Sequence, residues 1–488
     1  PSTVSTLISG MEGMIQTPGG CFEQTSSSNW PNVAILNYLD AHDGDPRLRM
    51  QSSRALQVGY DKLTGYQVGT GGFETWGSGP GKEALSAFGL LQFHDMQKVF
   101  PVADEILSDD AEYLLAQRDG KGGFKNSGES AHGYGSAPAE ILNGFITYAL
   151  VETGHKASLK TEIEHQAQIT RRTEDPYVLA LAVRSLQGVE HPGAQKAAKK
   201  LAGLQSVDGS FPGAKSSITR SYEANLLVES TALAALALME TGTHREAADK
   251  AADWLIENRQ GTGTWGATQA TAMALFALTR HAEINRVPQT AGVVSLEVNG
   301  TIAGSLAYDS LQSETLSIEG WEDYLLPGEN TLVLRQEDGA PLPFTVNVSW
   351  TSISPSTSPG AELSLETQLD RAELGMGETV RMTARIDNRA GRTVPSPITR
   401  IGIPAGLEAQ IWQLEQLQER GEIAFFETRP REVTLYWDGI HSDDSHEVDL
   451  DLVAVIPGSY TAPASSAYPY YNDDEKAWDV GTKVEISR

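Results

Sequence analysis

The sequence predicts a multidomain chain, an all-α α/α toroid followed by all-β units, and three observations carry that prediction. A glycine loop ending in an aromatic residue recurs ahead of Ala/Leu-rich segments through the first part of the chain. After about residue 285, helical spacing gives way to short alternating runs. A Ser/Pro-rich stretch, Ser352-Ile353-Ser354-Pro355-Ser356-Thr357-Ser358-Pro359-Gly360, then divides the alternating part in two. Length agrees, since 488 residues at roughly 150 per domain suggest about three domains.

The recurring loops are Gly71-Gly72-Phe73, Gly122-Gly123-Phe124, Gly209-Ser210-Phe211 and Gly263-Thr264-Trp265. Small-residue helices are expected after them, over Glu83–Phe93, Ala139–Glu152, Glu229–Glu240 and Ala267–Thr279. The aromatics are 51, 87 and 54 residues apart, so the long gap should hide a degenerate unit with Tyr177–Val183 as its inner helix. Helical hairpins repeating at this interval close into a ring when small residues let the inner helices crowd the axis and the outer ones carry the charge. An irregular helical bundle is the alternative. The β part opens with Val293–Val298 followed by Asn299-Gly300, a hairpin signal. Thr379–Ile386, Glu432–Trp437 and Val448–Ile456 read as later strands. The expected domains are 1–288, 289–353 and 354–488.

Composition narrows the function classes. Lys and Arg total 37 against 64 Asp and Glu, a formal charge of −27, which argues against nucleic acid as a partner. With 40 % hydrophobic and 21 % charged residues, wholesale disorder is excluded. One cysteine excludes an intramolecular disulfide and any zinc site built from several thiolates; neither metal nor cofactor is expected. No run approaches 18 consecutive apolar residues, so no transmembrane helix is expected. The opening Pro1-Ser2-Thr3 carries neither an initiator methionine nor a signal peptide. That raises the expectation of a piece of a longer protein.

The sharpest chemical feature is Pro18-Gly19-Gly20-Cys21-Phe22-Glu23-Gln24-Thr25. The only thiol stands three residues before a glutamine and behind two glycines. On a first helical turn, positions i and i+3 share a side, so Cys21 Sγ meets the Gln24 side-chain carbonyl. Glycine allows the tight backbone approach that a Cβ obstructs. Attack of the thiolate on the amide expels ammonia and leaves an internal thioester, a step made feasible by the high effective molarity of the two groups. A lone cysteine packed as a small hydrophobe is the competing reading. Glu23 either manages the thiol proton or simply favours an early helical turn.

Gly20-Cys21-Phe22-Glu23-Gln24 resembles the thioester signature Gly-Cys-x-Glu-Gln of the alpha-2-macroglobulin and complement family. The continuation Thr25-Ser26-Ser27-Ser28-Asn29-Trp30-Pro31-Asn32 is similar to bacterial members especially. The resemblance implies a thioester domain built as a toroid, the second half of a CUB-like domain over 289–353, and a receptor-binding-like β-sandwich over 354–488. It implies that Cys21 and Gln24 form the cross-link. His132, 111 residues after Cys21 in the loop before Ser136-Ala137-Pro138, is similar in place to the residue that in complement-type members attacks the thioester to give an acyl-imidazole. The local sequence departs from the complement pattern, and an exposed loop histidine is the alternative. Tyr468-Pro469-Tyr470-Tyr471-Asn472-Asp473-Asp474 resembles the family's Tyr-Tyr-acidic segment, which makes Tyr470 and Tyr471 candidates for sheltering the thioester from water.

Other toroids fit less well. The Asp-x-Asp-Asp motif of terpenoid cyclases is absent, and Cys21 lies at the wrong end for a prenyltransferase zinc site. A papain-like protease disagrees in both cysteine context and fold. A glycan-processing toroid needs paired carboxylates in its cavity, which Glu74, Glu83, Glu140 and Glu229 do not settle. The resemblance therefore implies a broad-spectrum protease-trapping inhibitor, a single-turnover trap and not an enzyme. Its partners would be proteases and other nucleophile-bearing proteins or surfaces, with no nucleic acid. Its location would be periplasmic or extracellular, with a cell-wall or membrane-anchored setting reached through a missing N-terminal region. A complement-like surface tag and a non-covalent adhesin are the alternatives.

Overall fold

The computed structural model describes residues 15, 18–41, 46–126, 137–221, 223–259, 265–266, 268–285, 290–310, 316–339, 355–469 and 475–488, with isolated positions 342, 344, 346, 348, 352 and 353. Its helical part has two kinds of helix, distinguished by which faces are apolar. In α1 (Phe22–Ala41), α3 (Glu83–Met96), α5 (Ala139–Glu152), α7 (Pro176–Gly188), α9 (Glu223–Thr241) and α11 (Thr268–Ile284), small and apolar residues continue around the helix. Every residue of α7 from Pro176 to Leu186 is buried. Between them lie α2 (Pro46–Thr64), α4 (Asp104–Ala116), α6 (Lys160–Arg172), α8 (Ala194–Ala202) and α10 (Arg245–Glu257). These bury one stripe: Ala194, Ala197, Ala198 and Leu201 in α8, and Ala248, Ala251, Ala252 and Leu255 in α10, each at i, i+3, i+4, i+7. A helix buried all round must be wrapped by others, and a one-striped helix must wrap. The odd-numbered helices accordingly contact one another in succession, α11 returns to α1, and the even-numbered helices pack outside them.

The sequence-predicted toroid is thus the observed fold. Trp30 of α1 closes the ring, lying edge-on to Phe88 of α3 at 4.8 Å and to Phe276 of α11 at 5.5 Å. Its indole N–H donates to Asp95 Oδ2 at 3.1 Å. The expected inner helices are present, and α9 begins six residues earlier than its apolar run suggested, at Glu223. In the degenerate unit three residues replace the glycine loop. Asp175 caps α7 by accepting from the Tyr177 and Val178 N–H groups, with Pro176 at the first helical position.

The aromatic of each remaining loop is fixed in one way. The Phe73 N–H donates to Ser86 Oγ at 2.9 Å, and the Phe124 N–H to Asn143 Oδ1 at 3.0 Å. The Phe211 and Trp265 N–H groups donate to Thr231 Oγ1 and Thr271 Oγ1, both at 3.0 Å. Every acceptor sits on the inner helix that follows.

After the toroid, β1 (Gly292–Val298), β2 (Thr301–Tyr308) and β3 (Leu332–Glu337) form an antiparallel sheet in the order β2-β1-β3. Asn299 at φ 52° and Gly300 at φ 82° make the tight turn read from the sequence. The last part comprises β4 (Leu363–Leu369), β5 (Glu373–Gly375), β6 (Thr379–Asn388), β7 (Val394–Pro395), β8 (Pro397–Gly402), β9 (Leu407–Ala409), helix α12 (Ile411–Glu419), β10 (Phe425–Arg429) and β11 (Glu432–Tyr436). It ends with β12 (Gly439–Ile440), β13 (Ser445–Ala454), β14 (Gly458–Thr461), β15 (Ser465–Pro469), β16 (Ala477–Asp479) and β17 (Lys483–Ser487). The main sheets run β4-β6-β13-β9 and β10-β11-β8-β15-β16. Alternation sends Val380, Met382, Ala384 and Ile386 of β6 and Val448, Leu450 and Leu452 of β13 into the core shared with Val433 and Leu435. Strand β10 is an edge, and it lies against the toroid.

Candidate functional site

Cys21 is the N-cap residue of α1, and its carbonyl accepts the Thr25 N–H at 2.8 Å. Gln24 is the third helical residue and folds back, its Oε1 accepting the Cys21 N–H at 2.9 Å. This is the returning half of a capping box, with cysteine at the position usually held by Ser or Thr. Ordinary helix capping therefore brings the only thiol-bearing residue and the glutamine amide together. Gly20 permits it, at φ +79°, where a Cβ would stand 2.0 Å from Gln24 Oε1.

The loop is fixed on several sides. Phe22 is fully buried with its ring 4.9 Å from that of Phe73, and its N–H donates to the Thr75 carbonyl at 2.9 Å. The Tyr66 hydroxyl donates to the Gly20 carbonyl at 2.6 Å, and Thr25 Oγ1 donates to the Gly19 and Gly20 carbonyls at 3.2 Å. Cys21, Glu23 and Gln24 are all buried. Burial, and then the Glu23 carboxylate, push the Cys21 thiol well above its usual range, with a smaller contribution from Asp438. Backbone hydrogen bonds from Gln24 and Glu23 oppose this without reversing it. Wherever Cys21 is a free thiol, these surroundings favour its neutral form.

The cover comes from the last β unit. On β10, period-2 alternation puts Phe425 and Glu427 on one face. Glu427 Oε1 accepts the Gly20 N–H at 3.1 Å and meets Lys62 Nζ at 3.3 Å. The Phe425 ring stacks on Trp76 with centroids 4.0 Å apart, and Tyr436 meets Trp76 edge-on at 6.4 Å. Phe425, Tyr436, Ile398 and Tyr468 are successive register partners across β10, β11, β8 and β15, forming one row over the sheet. Trp76 is held by Glu74, whose Oε2 accepts the Trp76 and Ser78 N–H groups at 2.8 and 3.2 Å and whose Oε1 pairs with Lys82 at 3.2 Å. Burial alone would raise the Glu74 pKa, but these donors hold it below its ordinary value.

Of the sequence-predicted residues, Cys21, Glu23 and Gln24 are together. His132, Tyr470 and Tyr471 lie outside the described residues. Among the described residues no group of three or more His, Cys, Asp or Glu is arranged to hold a metal ion. Sequence reasoning missed Lys62, Tyr66, Trp76, Phe425, Glu427 and Tyr436. No local pattern marks them, because their partners are distant in sequence.

Residues 2–281, more than half the chain, match the family model of the A-macroglobulin TED domain. The chain belongs to the A-macroglobulin family. Among curated relatives it is 24 % identical over 333 residues to thioester-containing protein 1 allele R1 of Anopheles gambiae, covering 66 % of this chain and 24 % of that protein. To complement C3 of Eptatretus burgeri it is 21 % identical over 519 residues, covering 97 % of this chain and 31 % of the relative. This A-macroglobulin chain therefore spans less than a third of each of those relatives. Native alpha-2-macroglobulin of Escherichia coli, from domain MG7 to the C-terminus, matches with a TM-score of 0.67 at 16 % identity, over 99 % of this chain and 75 % of that one. Salmonella alpha-2-macroglobulin reacted with methylamine matches at 0.67 and 17 % identity, over 99 % and 31 %. At such identities the structural likeness is one of fold: the helical ring and the β units that follow it.

Proposed function

We propose that this chain carries an internal thioester between Cys21 Sγ and the Gln24 side-chain carbonyl. It would serve a protease-trapping inhibitor as a single-turnover covalent tether, not as an enzyme. The observation that carries the reading is the fold-back of Gln24 Oε1 onto the Cys21 N–H, 2.9 Å, inside a buried loop. In the forming step the S–C bond replaces the amide C–N bond, and ammonia leaves with the thiol proton. In the trapping step a lysine amine of a protease attacks the acyl carbon, the C–S bond breaks, and the sulfur takes up the proton released by the amine. Glu23 is the buried carboxylate nearest in sequence to the thiol and is the proposed proton carrier for both steps. Tyr470 and Tyr471 remain proposed as shelter for the acyl group. The proposed setting is periplasmic or extracellular.

A complement-like surface tag is favoured by one finding, the relationship to complement C3 over 97 % of this chain. The two readings differ in acceptor. If His132 forms an acyl-imidazole, the freed Cys21 thiolate is the base for attack by hydroxyls, and such assistance is worth on the order of a hundred- to ten-thousand-fold. Incorporation of labelled methylamine and labelled glycerol at Gln24 tests both readings. Cys21→Ala should abolish both labels. For a protease trap, His132→Ala should leave the preference for methylamine unchanged. A selective collapse of glycerol transfer would make the protein a surface tag, and incorporation surviving in Cys21→Ala would remove the thioester altogether.

A further inference from the structure

We infer that Glu427 is a latch, a positioning residue that holds the Cys21 loop closed from across the domain boundary and sets how fast the site opens to small nucleophiles. The inference rests on the proposed reactivity at Cys21 but not on the thioester having formed.

The loop before α1 has one backbone donor satisfied by a residue 407 positions away. The Gly20 N–H is bonded to Glu427 Oε1 at 3.1 Å, and the same oxygen meets the Lys62 ammonium at 3.3 Å. One carboxylate thus ties the residue before the nucleophile to the last turn of α2. Hydrogen bonds to an ionised acceptor are among the stronger ones in proteins. The approach is close: a Cβ at Gly19 would lie 3.6 Å from both Glu427 Oε1 and Lys62 Nζ. A charged residue on an edge strand normally faces water and discourages strand pairing. This one is turned onto the toroid and only partly exposed. Two residues earlier on the same strand face, Phe425 stacks on Trp76 at 4.0 Å. The stack supplies apolar contact but no hold on the loop backbone. The carboxylate supplies that hold, on the peptide that positions Cys21 against Gln24. If β10 moves away, the Gly20 N–H loses its acceptor and Lys62 its counter-charge in the same event, so release is coupled to separation of the two domains.

The experiment is the rate of Cys21 modification in the whole chain, read by mass. Methylamine is the probe where a thioester is present, and iodoacetamide where the sulfur is a free thiol, so the latch is tested whichever form exists. Removing a charge-assisted hydrogen bond of this kind should speed modification in Glu427→Ala by about ten- to a hundredfold. Glu427→Gln, which keeps an acceptor for the Gly20 N–H but loses the ion pair, should fall between Glu427→Ala and wild type. Lys62→Met should add little to Glu427→Ala, because both remove one shared interaction. Raising salt should speed wild type and not Glu427→Gln. Glu432→Gln, on the neighbouring strand, should leave the rate unchanged. Wild-type rates in both Glu427 variants, or equal salt responses in wild type and Glu427→Gln, would overturn the latch.

Discussion

The loop that opens α1 and the loops that open α3, α5, α9 and α11 all lead into inner helices, but the first reaches beyond its own helix for part of its anchoring. In the four later units the aromatic N–H bonds a side chain on the helix it introduces: Ser86, Asn143, Thr231 or Thr271. Each of those ties stays within one hairpin, although the loop before α3 also carries Trp76, which stacks on Phe425. In the first unit the Phe22 N–H reaches the neighbouring loop at Thr75, and the Gly20 N–H reaches Glu427 in another domain. Stability is not uniform within a fold, and elements that must move are drawn from the part held by few, separable contacts. Four aromatic N–H anchors are thus internal to the ring, whereas the loop that carries Cys21 and Gln24 adds an anchor on β10, one that can be lost without unfolding a hairpin.

The largest effect comes from breaking the first loop. Gly20→Ala places a Cβ 2.0 Å from Gln24 Oε1 in a left-handed backbone position, driving the amide away from Cys21. A misplacement of this size should reduce methylamine incorporation on the order of a hundredfold. The matching change in a locally held loop is Gly209→Ala, at φ +97° with a Cβ 2.3 Å from the Lys250 carbonyl. It should cost about 1–3 kcal/mol of stability in denaturant melts and leave incorporation per folded molecule unchanged. Equal loss of reactivity in both variants would erase the comparison. A smaller effect is expected from Thr231→Val, which keeps the shape but leaves the Phe211 N–H without its acceptor in the core. Its cost should be about 1–3 kcal/mol, again with normal Cys21 reactivity.

Much of the frame was legible because it is written in local pattern. Small residues on the inner helices, charge expected on the outer ones and the Gly-x-aromatic loops predicted a ring, and Asn299-Gly300 predicted its turn. The Cys21–Gln24 spacing foretold their juxtaposition because a helical first turn makes it a short-range event. The polar ties were not foreseen, since a serine or threonine inside an Ala/Leu helix has the same pattern whether or not it caps a loop. Nor were Lys62, Trp76, Phe425 and Glu427. Contacts between units hundreds of residues apart leave no periodicity, and Phe-Phe-Glu-Thr-Arg reads as an unremarkable strand. The site's chemistry is local and its closure is tertiary, so only the first was readable from sequence.

Intact mass of freshly folded protein, before and after methylamine, tests the central claim most directly. An internal thioester requires a mass one ammonia below that of the sequence, no titratable thiol, and, after methylamine, one added amine with one thiol released per chain. A thioester already hydrolysed leaves glutamate at position 24, which peptide mapping separates from the glutamine of the sequence. An unaltered Gln24 with a freely titrating Cys21, unchanged by methylamine, would mean that no thioester forms.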